Sequence, residues 1–203
     1  MGTAGIWVQT NAMKILPYLV LLAALPFQSC KKSGADPKSE LPTATTTGAE
    51  TLGFRVFGGV WVPGGRVCGI YGCADNQVEA SAYRNPDGTL NLQISAYRTG
   101  TRLNQAFVLT VDSLGGPGVY PARLAVPKSN GGHVNNQLSF TDNEFGGVAY
   151  QSLLNGATTI TITKVDTVQS IVSGTFEGRL DESTNAGRTI ELTDGRFDVL
   201  YNR

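Results

Sequence analysis

The sequence predicts an all-β protein, an antiparallel meandering sandwich or barrel of about ten short strands. Three observations carry that expectation. Charged residues make up only 16% of the 203-residue chain while glycines number 25, a mixture that suits short strands and tight turns and suits a helical bundle badly. Apolar and polar residues alternate with period two in segment after segment. No apolar pattern of helical period persists beyond two turns.

The N-terminal residues stand outside that fold. Lys14 precedes the apolar run Ile15–Leu25. That is signal-peptide length, short of the ~20 residues a membrane-spanning helix needs. Pro26-Phe27-Gln28-Ser29-Cys30 follows, with the small Ser29 directly before the cysteine. The stretch resembles a bacterial lipobox, in which the cysteine sulfur is acylated and the cysteine becomes the first residue of the mature protein. Phe27 and Gln28 depart from the strict pattern. Residues 1–12 have no signal logic of their own, and Met13-Lys14 reads as the natural start, so 1–12 are read as a start-site misassignment within a signal peptide of residues 1–29. Residues 30–50 read as the lipidated Cys30 and a flexible tether of Lys, Ser, Pro, Thr and Gly, too poor in apolar mass to offset its ordering entropy. Residues 51–203 are left as a single β-domain. Lys31 and Lys32 follow the lipid-bearing position, where they either meet anionic headgroups or are simply solvated.

Within the domain, Trp61 lies in the apolar stretch Gly59-Val60-Trp61-Val62-Pro63 and reads either as core or as a platform for a sugar face. Cys68 and Cys73 remain as an even pair once Cys30 is assigned to lipid. A disulfide across a hairpin end fits their spacing in an oxidising compartment, and two free thiols are the alternative. The hairpin that follows can be read to its register. Val78, Ala80 and Ala82 alternate with polar residues, as do Leu90, Leu92, Ile94 and Ala96. Asn85-Pro86-Asp87-Gly88 between them has the chemistry of a type I turn followed by a left-handed glycine. A loop of Pro86–Gly88 pairs 82 with 92, 80 with 94 and 78 with 96, which puts every apolar residue on one face. The other face then carries Tyr83 opposite Asn91, Ser81 opposite Gln93, Glu79 opposite Ser95 and Gln77 opposite Tyr97. It is a polar face with tyrosines at both ends, either solvated or ligand-contacting.

The remaining strands follow by the same logic. Leu103, Phe107, Leu109 and Val111 share a phase that stops at Gly115-Gly116-Pro117-Gly118. Ile160 and Ile162 alternate with Thr159, Thr161 and Thr163. Val172, Phe176 and Leu180 share a phase with Gly174 and Gly178 at the intervening inward positions, which implies bending or close approach of another element. Ile190 and Leu192 have the opposite parity to Phe197, Val199 and Tyr201. A β-bulge at Thr193-Asp194-Gly195-Arg196, using Gly195, resolves the conflict.

Chemistry is sparse along this scaffold. Lys+Arg and Asp+Glu both number 16, so no global basic field exists to hold nucleic acid. The only histidine, His133, sits in a turn-like setting after Asn130-Gly131-Gly132, with no serine elbow anywhere. Asp181-Glu182 and the pair Asp194 and Asp198 are the candidates for paired glycosidase carboxylates, but Asp194 reads better as a bulge cap. A metal at the two cysteines needs two further ligands, and no calcium loop or phosphate-binding glycine loop is present. No catalytic residue, metal ligand or cofactor is therefore nominated. The residues singled out are Cys30 for lipid, Cys68 and Cys73 for a disulfide, and Trp61, Tyr83 and Tyr97 for ligand contact.

Two long segments are similar to a family of uncharacterised Bacteroidota cell-envelope lipoproteins, a domain of unknown function. The first is Leu41-Pro42-Thr43-Ala44-Thr45-Thr46-Thr47-Gly48-Ala49-Glu50-Thr51-Leu52-Gly53 with Phe57-Gly58-Gly59-Val60-Trp61-Val62-Pro63. The second comprises Ile160–Asp166, Ser173-Gly174-Thr175-Phe176 and Thr193–Asp198. Many members carry cysteine after Gly53 where this chain has Phe54, so a disulfide from that strand cannot be carried over. Cys68 and Cys73 then pair with each other or with nothing. The resemblance implies a β fold and an envelope location, and no reaction. Lys31 and Lys32 stand where surface-displayed relatives tend to carry acids, leaving an outer-membrane protein that faces the periplasm or the exterior. The expected function is a non-enzymatic binding or interaction module for a glycan or an envelope protein. The alternatives are a carboxylate-dependent enzyme on envelope carbohydrate and a purely structural lipoprotein.

Overall fold

The computed structural model describes residues 1–3, 40–70, 72–75, 77–100, 104–127, 133–143, 147–152, 157–184 and 187–202. The signal segment beyond Thr3, Cys30, Lys31, Lys32, Leu103 and the 128–132 loop lie outside them. The fold belongs to the unit Ala35–Arg203. It is all-β: among the described residues there is no helix, and fourteen strands replace the ten expected. They are β1 (Thr51–Val56), β2 (Gly59–Trp61), β3 (Arg66–Gly69), β4 (Gly72–Asp75), β5 (Val78–Arg84), β6 (Leu90–Thr99) and β7 (Asn104–Leu114). Then follow β8 (Gly118–Pro121), β9 (Arg123–Pro127), β10 (His133–Asp142), β11 (Val148–Gln151), β12 (Thr159–Asp166), β13 (Ile171–Glu182) and β14 (Thr189–Leu200). The surplus is accounted for by strands of three or four residues such as β2, β3, β4, β8 and β11, too short to show a period.

Twelve strands form one antiparallel sheet along the path β2-β1-β14-β13-β11-β10-β7-β6-β5, with β12 on β13, β8 on β12 and β9 on β10. The sheet forks at β13. Its neighbour β14 pairs with Ile171–Asp181, while on the other side β12 pairs with Ile171–Glu177 and β11 with Asp181 and Glu182. The path does not close, yet the residues after β14 reach its far edge. Ala82 N donates to Asn202 O at 2.8 Å and Asn202 N to Ala80 O at 3.0 Å. The strands β3 and β4 form a separate two-stranded ribbon.

Period-two alternation drives one face of every long strand into a common core. Its centre is aromatic. The Phe54 ring lies 4.8 Å from Trp61, 4.8 Å from Phe107 and 5.6 Å from Phe176. Phe54 fills the middle of this cluster with no exposed surface. Trp61 directly opposes it in the β1–β2 pairing and is 1% exposed. Its indole Nε1 donates to Gln105 Oε1 at 2.9 Å, and Gln105 Nε2 donates onward to Asp142 at 2.9 Å. The ligand-platform reading of Trp61 is therefore corrected: strand parity points the ring inward, and a core amide satisfies its one polar atom.

The β5–β6 hairpin has the expected register throughout, from Val78↔Ala96 to Tyr83↔Asn91. Its turn closes with Gly88 N to Asn85 O at 3.0 Å and Gly88 at φ 86°. The bulge in β14 also falls where the parity conflict placed it. Phe176 pairs with Gly195 and Gly178 with Leu192, leaving Thr193 and Asp194 together opposite the single residue Glu177. The left-handed residue, however, is Asp194 at φ 55° and not Gly195. Nor does Asp194 cap the bulge: its carboxylate pairs with Arg55 Nε at 3.1 Å. Gly195 is required for another reason, because a Cβ there would collide with the carbonyl oxygen and ring of Phe176. Gly174 and Gly178 are close approaches of the same kind, against Thr161 and Thr158 of the neighbouring strand and its approach.

The tether reading is corrected in its second half. Residues 42–50 pack on the domain as a strap held by Asp198. That carboxylate accepts from Thr45 Oγ1 at 2.6 Å, Thr47 N at 2.9 Å, Gly48 N at 2.9 Å, Ala49 N at 3.1 Å and Ser173 Oγ at 2.7 Å. Burial alone would push the Asp198 carboxyl up, but hydrogen bonds from Thr45, Ser173, Gly48 and Ala49 outweigh it and hold the group far below the usual carboxylate range. Pro42 packs against Gly53, and Lys164 Nζ donates to Thr46 O at 3.0 Å. A segment without apolar mass can thus be ordered by one buried anion that its own backbone N–H groups surround.

Candidate functional site

The polar face of the β5–β6 hairpin opens into a cleft where β7 departs from regular pairing. Leu92 pairs with Val111 but Leu90 with Leu114, so Asp112 and Ser113 bulge out of β7, with Ser113 at φ 59°. Side chains from both flanks satisfy the bulge's backbone: Asn91 Oδ1 accepts from Ser113 N at 3.0 Å, and Asn136 Oδ1 accepts from Asp112 N at 3.1 Å. The bulge thus spreads the strands without orphaning donors. The hollow it leaves is about 220 Å³, walled by Ser81 and Tyr83 of β5, Asn91 and Gln93 of β6, and Thr110 and Asp112 of β7.

Tyr83 stands at one side with 65% of its surface exposed. Its hydroxyl accepts from Asn91 Nδ2 at 2.6 Å, and Asn91 Oδ1 is further held by Asn85 Nδ2 at 3.0 Å. The ring is therefore presented edge-fixed and face-open. Gln93 Nε2 makes one long contact to Ser95 Oγ at 3.4 Å, and the hydroxyls of Ser81 and Thr110 make no hydrogen bond with the described chain. Amides, hydroxyls and one carboxylate beside an exposed ring form a surface that exchanges hydrogen bonds with a polyhydroxylated face while stacking on its C–H side.

Of the three aromatic residues nominated from sequence, the structure places one at this cleft. Tyr97 shares the polar face and is 42% exposed, but it lies six residues along β6 from Asn91, roughly 20 Å away at strand rise. Trp61 is in the core. Cys68 and Cys73 are directly opposed in the β3–β4 ribbon and joined by a disulfide. Between these strands, Ile70 is 92% exposed. The cleft's amides carried no distinguishing signal, since a solvated sheet face has the same composition; the φ > 0 serine that opens the cleft is likewise unannounced in the sequence.

The candidate carboxylates are each already engaged. Asp181 Oδ1 lies 3.2 Å from Arg179 Nε, and Asp194 and Asp198 are held as described above. Glu182 receives both Nε and Nη2 of Arg188 at 2.6 and 2.7 Å and Thr184 Oγ1 at 2.7 Å, contacts that lower its carboxyl below the ordinary range. His133 begins β10, and its side chain lies outside the described residues. Among the described residues no group of three or more His, Cys, Asp or Glu is placed to hold a metal ion, and no helix is long and apolar enough to cross a membrane.

A second hollow of about 440 Å³ lies on the outer side of β12–β14, between Thr159, Thr161, Thr175, Glu177 and Arg196. Its one ring, Phe176, is buried. Larger volume without an exposed ring makes it the weaker candidate for a stacked ligand. No protein-family model, no curated protein and no solved structure matches the chain.

Proposed function

We propose that the protein is a non-enzymatic glycan-binding module of the bacterial cell envelope, carried by a lipid on Cys30 at the outer membrane and facing the periplasm or the exterior. The observation that carries the glycan reading is the cleft at Tyr83, where an exposed, hydrogen-bond-fixed ring adjoins Ser81, Asn91, Gln93, Thr110 and Asp112. The lipid anchor rests on the lipobox-like Ser29-Cys30 behind a short apolar run.

The test is thermal unfolding of the full chain, in a non-glycosidic detergent, against a panel of envelope oligosaccharides. A ligand at about 100 times its dissociation constant adds roughly 2.7 kcal/mol, enough to raise the midpoint by roughly 5 °C or more. A dose-dependent shift that disappears in Tyr83→Ala supports the reading. A flat response across the panel overturns it. A second reading, an envelope-protein partner, is favoured by one specific observation: the exposed Ile70 on a disulfide-closed ribbon that belongs to no other sheet. Loss of co-purifying partners in Ile70→Ser, with glycan binding intact, would support it.

A further inference from the structure

The cleft at Tyr83 is a grid of two rows laid across three strands. In the first row Tyr83 of β5 faces Asn91 of β6, and Asn91 faces the β7 bulge at Asp112 and Ser113. In the second, on the same face, Ser81 pairs with Gln93 and Gln93 with Thr110. Among the described residues that line the cleft, Asp112 alone carries a charge. Its backbone is held, because Asn136 Oδ1 accepts from Asp112 N at 3.1 Å. Its carboxylate is not. Among the described residues it forms no ion pair, and its one contact is the Ser113 hydroxyl at 3.4 Å.

Other acids of the domain are compensated. Asp75, Asp166, Asp181, Glu182 and Asp194 each face a lysine or an arginine. No such cation lines this cleft. Arg84, next to Tyr83, alternates to the other face of β5 and donates to Gly88 O at 2.9 Å. Glu79 shares the polar face but stands opposite Ser95, one row beyond the grid. An uncompensated carboxylate on the wall of a concave site attracts cations and repels anions, and the low-dielectric walls focus its field.

Position sharpens that preference. Tyr83 and Asp112 flank β6 from opposite sides, two strand spacings or about 10 Å apart. That span is the width of one sugar ring with a contact on each side. Tyr83 leans over β6, its hydroxyl accepting from Asn91 Nδ2 at 2.6 Å. A sugar whose C–H face lies on the tyrosine turns its far edge towards Asp112. The group that complements a lone carboxylate there is an ammonium.

We propose that the ligand of the Tyr83 cleft is a cationic glycan, an amino sugar whose amine is free rather than acylated. This rests on the glycan reading of the cleft and deepens it. The ammonium donates to the Asp112 carboxylate, while Ser81, Asn91, Gln93 and Thr110 exchange hydrogen bonds with the hydroxyls. Sugars bearing carboxylate, phosphate or sulfate groups are disfavoured by the same charge.

The experiment is a titration of the full chain, in the same detergent, with three β-1,4-linked tetramers, of glucose, N-acetylglucosamine and glucosamine. It is run in low salt at about pH 5.5, where amines of ordinary pKa are protonated, for the wild type and for Asp112→Asn. The acetylated tetramer carries the same nitrogens without their charge. The expected result is binding of the glucosamine tetramer roughly fivefold or more tighter than either neutral one, the scale of one charge-assisted hydrogen bond at a partly exposed site. Asp112→Asn keeps the size of the side chain and an acceptor for the Ser113 hydroxyl, and its unfolding midpoint reports that the fold is kept. It should bring the ratio of charged to neutral affinities close to one. Salt at about 0.5 M should shrink that ratio in the wild type. Equal affinity for charged and neutral tetramers, or a preference that survives in Asp112→Asn, overturns the cationic inference and leaves the glycan reading standing. Failure of the wild type to bind any tetramer, or any member of the wider panel, overturns both.

Discussion

The strap site at Asp198 and the cleft at Tyr83 are two polar clusters built on outward-facing positions of the same sheet, the first on regularly paired strands and the second beside the β7 bulge. At Asp198 the chain supplies the partners: three hydroxyls and three backbone N–H groups converge on a carboxylate that is almost wholly buried. At Tyr83 the network stops short. Asn91 holds the tyrosine and the β7 bulge, but Ser81, Gln93 and Thr110 face the cleft with most of their capacity unused. A saturated polar cluster is a structural device. An unsaturated one beside an exposed ring retains capacity for something that arrives from outside.

Breaking the saturated cluster should have the largest effect. Asp198→Ala leaves the N–H groups of Thr47, Gly48 and Ala49 facing a void, with each lost charge-assisted bond worth about 1.5–3 kcal/mol before relaxation. The expected cost is about 3 kcal/mol or more, read from the denaturant midpoint. New proteolytic cleavage within residues 42–50 would show that the strap has been released. Unchanged stability and protection would mean the strap docks without its anion.

Acid should reproduce part of this loss. The Asp198 carboxyl titrates lower in the folded state than the ~3.9 of an unfolded aspartate. The folded state therefore holds fewer protons, and the stabilisation is fully present above about pH 5 and drains away as pH falls below 4. Asp198→Asn should lack this component, so its stability between pH 5 and pH 2 should fall less steeply than that of the wild type. Parallel profiles would assign acid sensitivity elsewhere, with Glu182 and its Arg188 pair the next group to examine.

Substitution in the unsaturated cluster should separate binding from stability. Tyr83→Ala is expected to weaken glycan binding about tenfold or more, as loss of an aromatic anchor does, while unfolding free energy stays within about 0.5 kcal/mol. A large stability loss would mean the tyrosine is structural after all. The smallest effect is expected at the disulfide. Chain-entropy arguments assign about 2 kcal/mol to closing so short a loop, but β3 and β4 pair only with each other. Cys68→Ser with Cys73→Ser should therefore loosen the ribbon, seen as faster amide exchange there, and move the global midpoint by under a few degrees.

The contrast also explains what was legible from residues alone. The β5–β6 register could be read because turn chemistry at Asn85–Gly88 and alternation on both strands agree locally. The β14 bulge was locatable by parity, yet which residue took the left-handed conformation was not. Gly195 is fixed by contact with Phe176, a strand away, and that leaves Asp194 to absorb the φ. The strap was illegible because its partner is about 150 residues distant and a polar segment has no period to betray its docking. Trp61 could be core or platform until the pairing of β1 with β2 set its parity. The cleft stayed hidden for the reason that makes it interesting: its amides look like any solvated face until a serine at φ > 0 parts the strands beneath them.

The two backbone hydrogen bonds that join Asn202 with Ala80 and Ala82, one donated by Asn202 N and one accepted by Asn202 O, bear on colloidal behaviour. They occupy the ladder groups of β5 at the terminal strand of the sheet path, beside an exposed tyrosine and an apolar hollow. A bare strand in that position is a template on which a second molecule can add its own β5. Asn202 thus covers the middle of that edge with backbone of the same chain, which removes two ladder groups from those a second molecule would need in order to add a strand there.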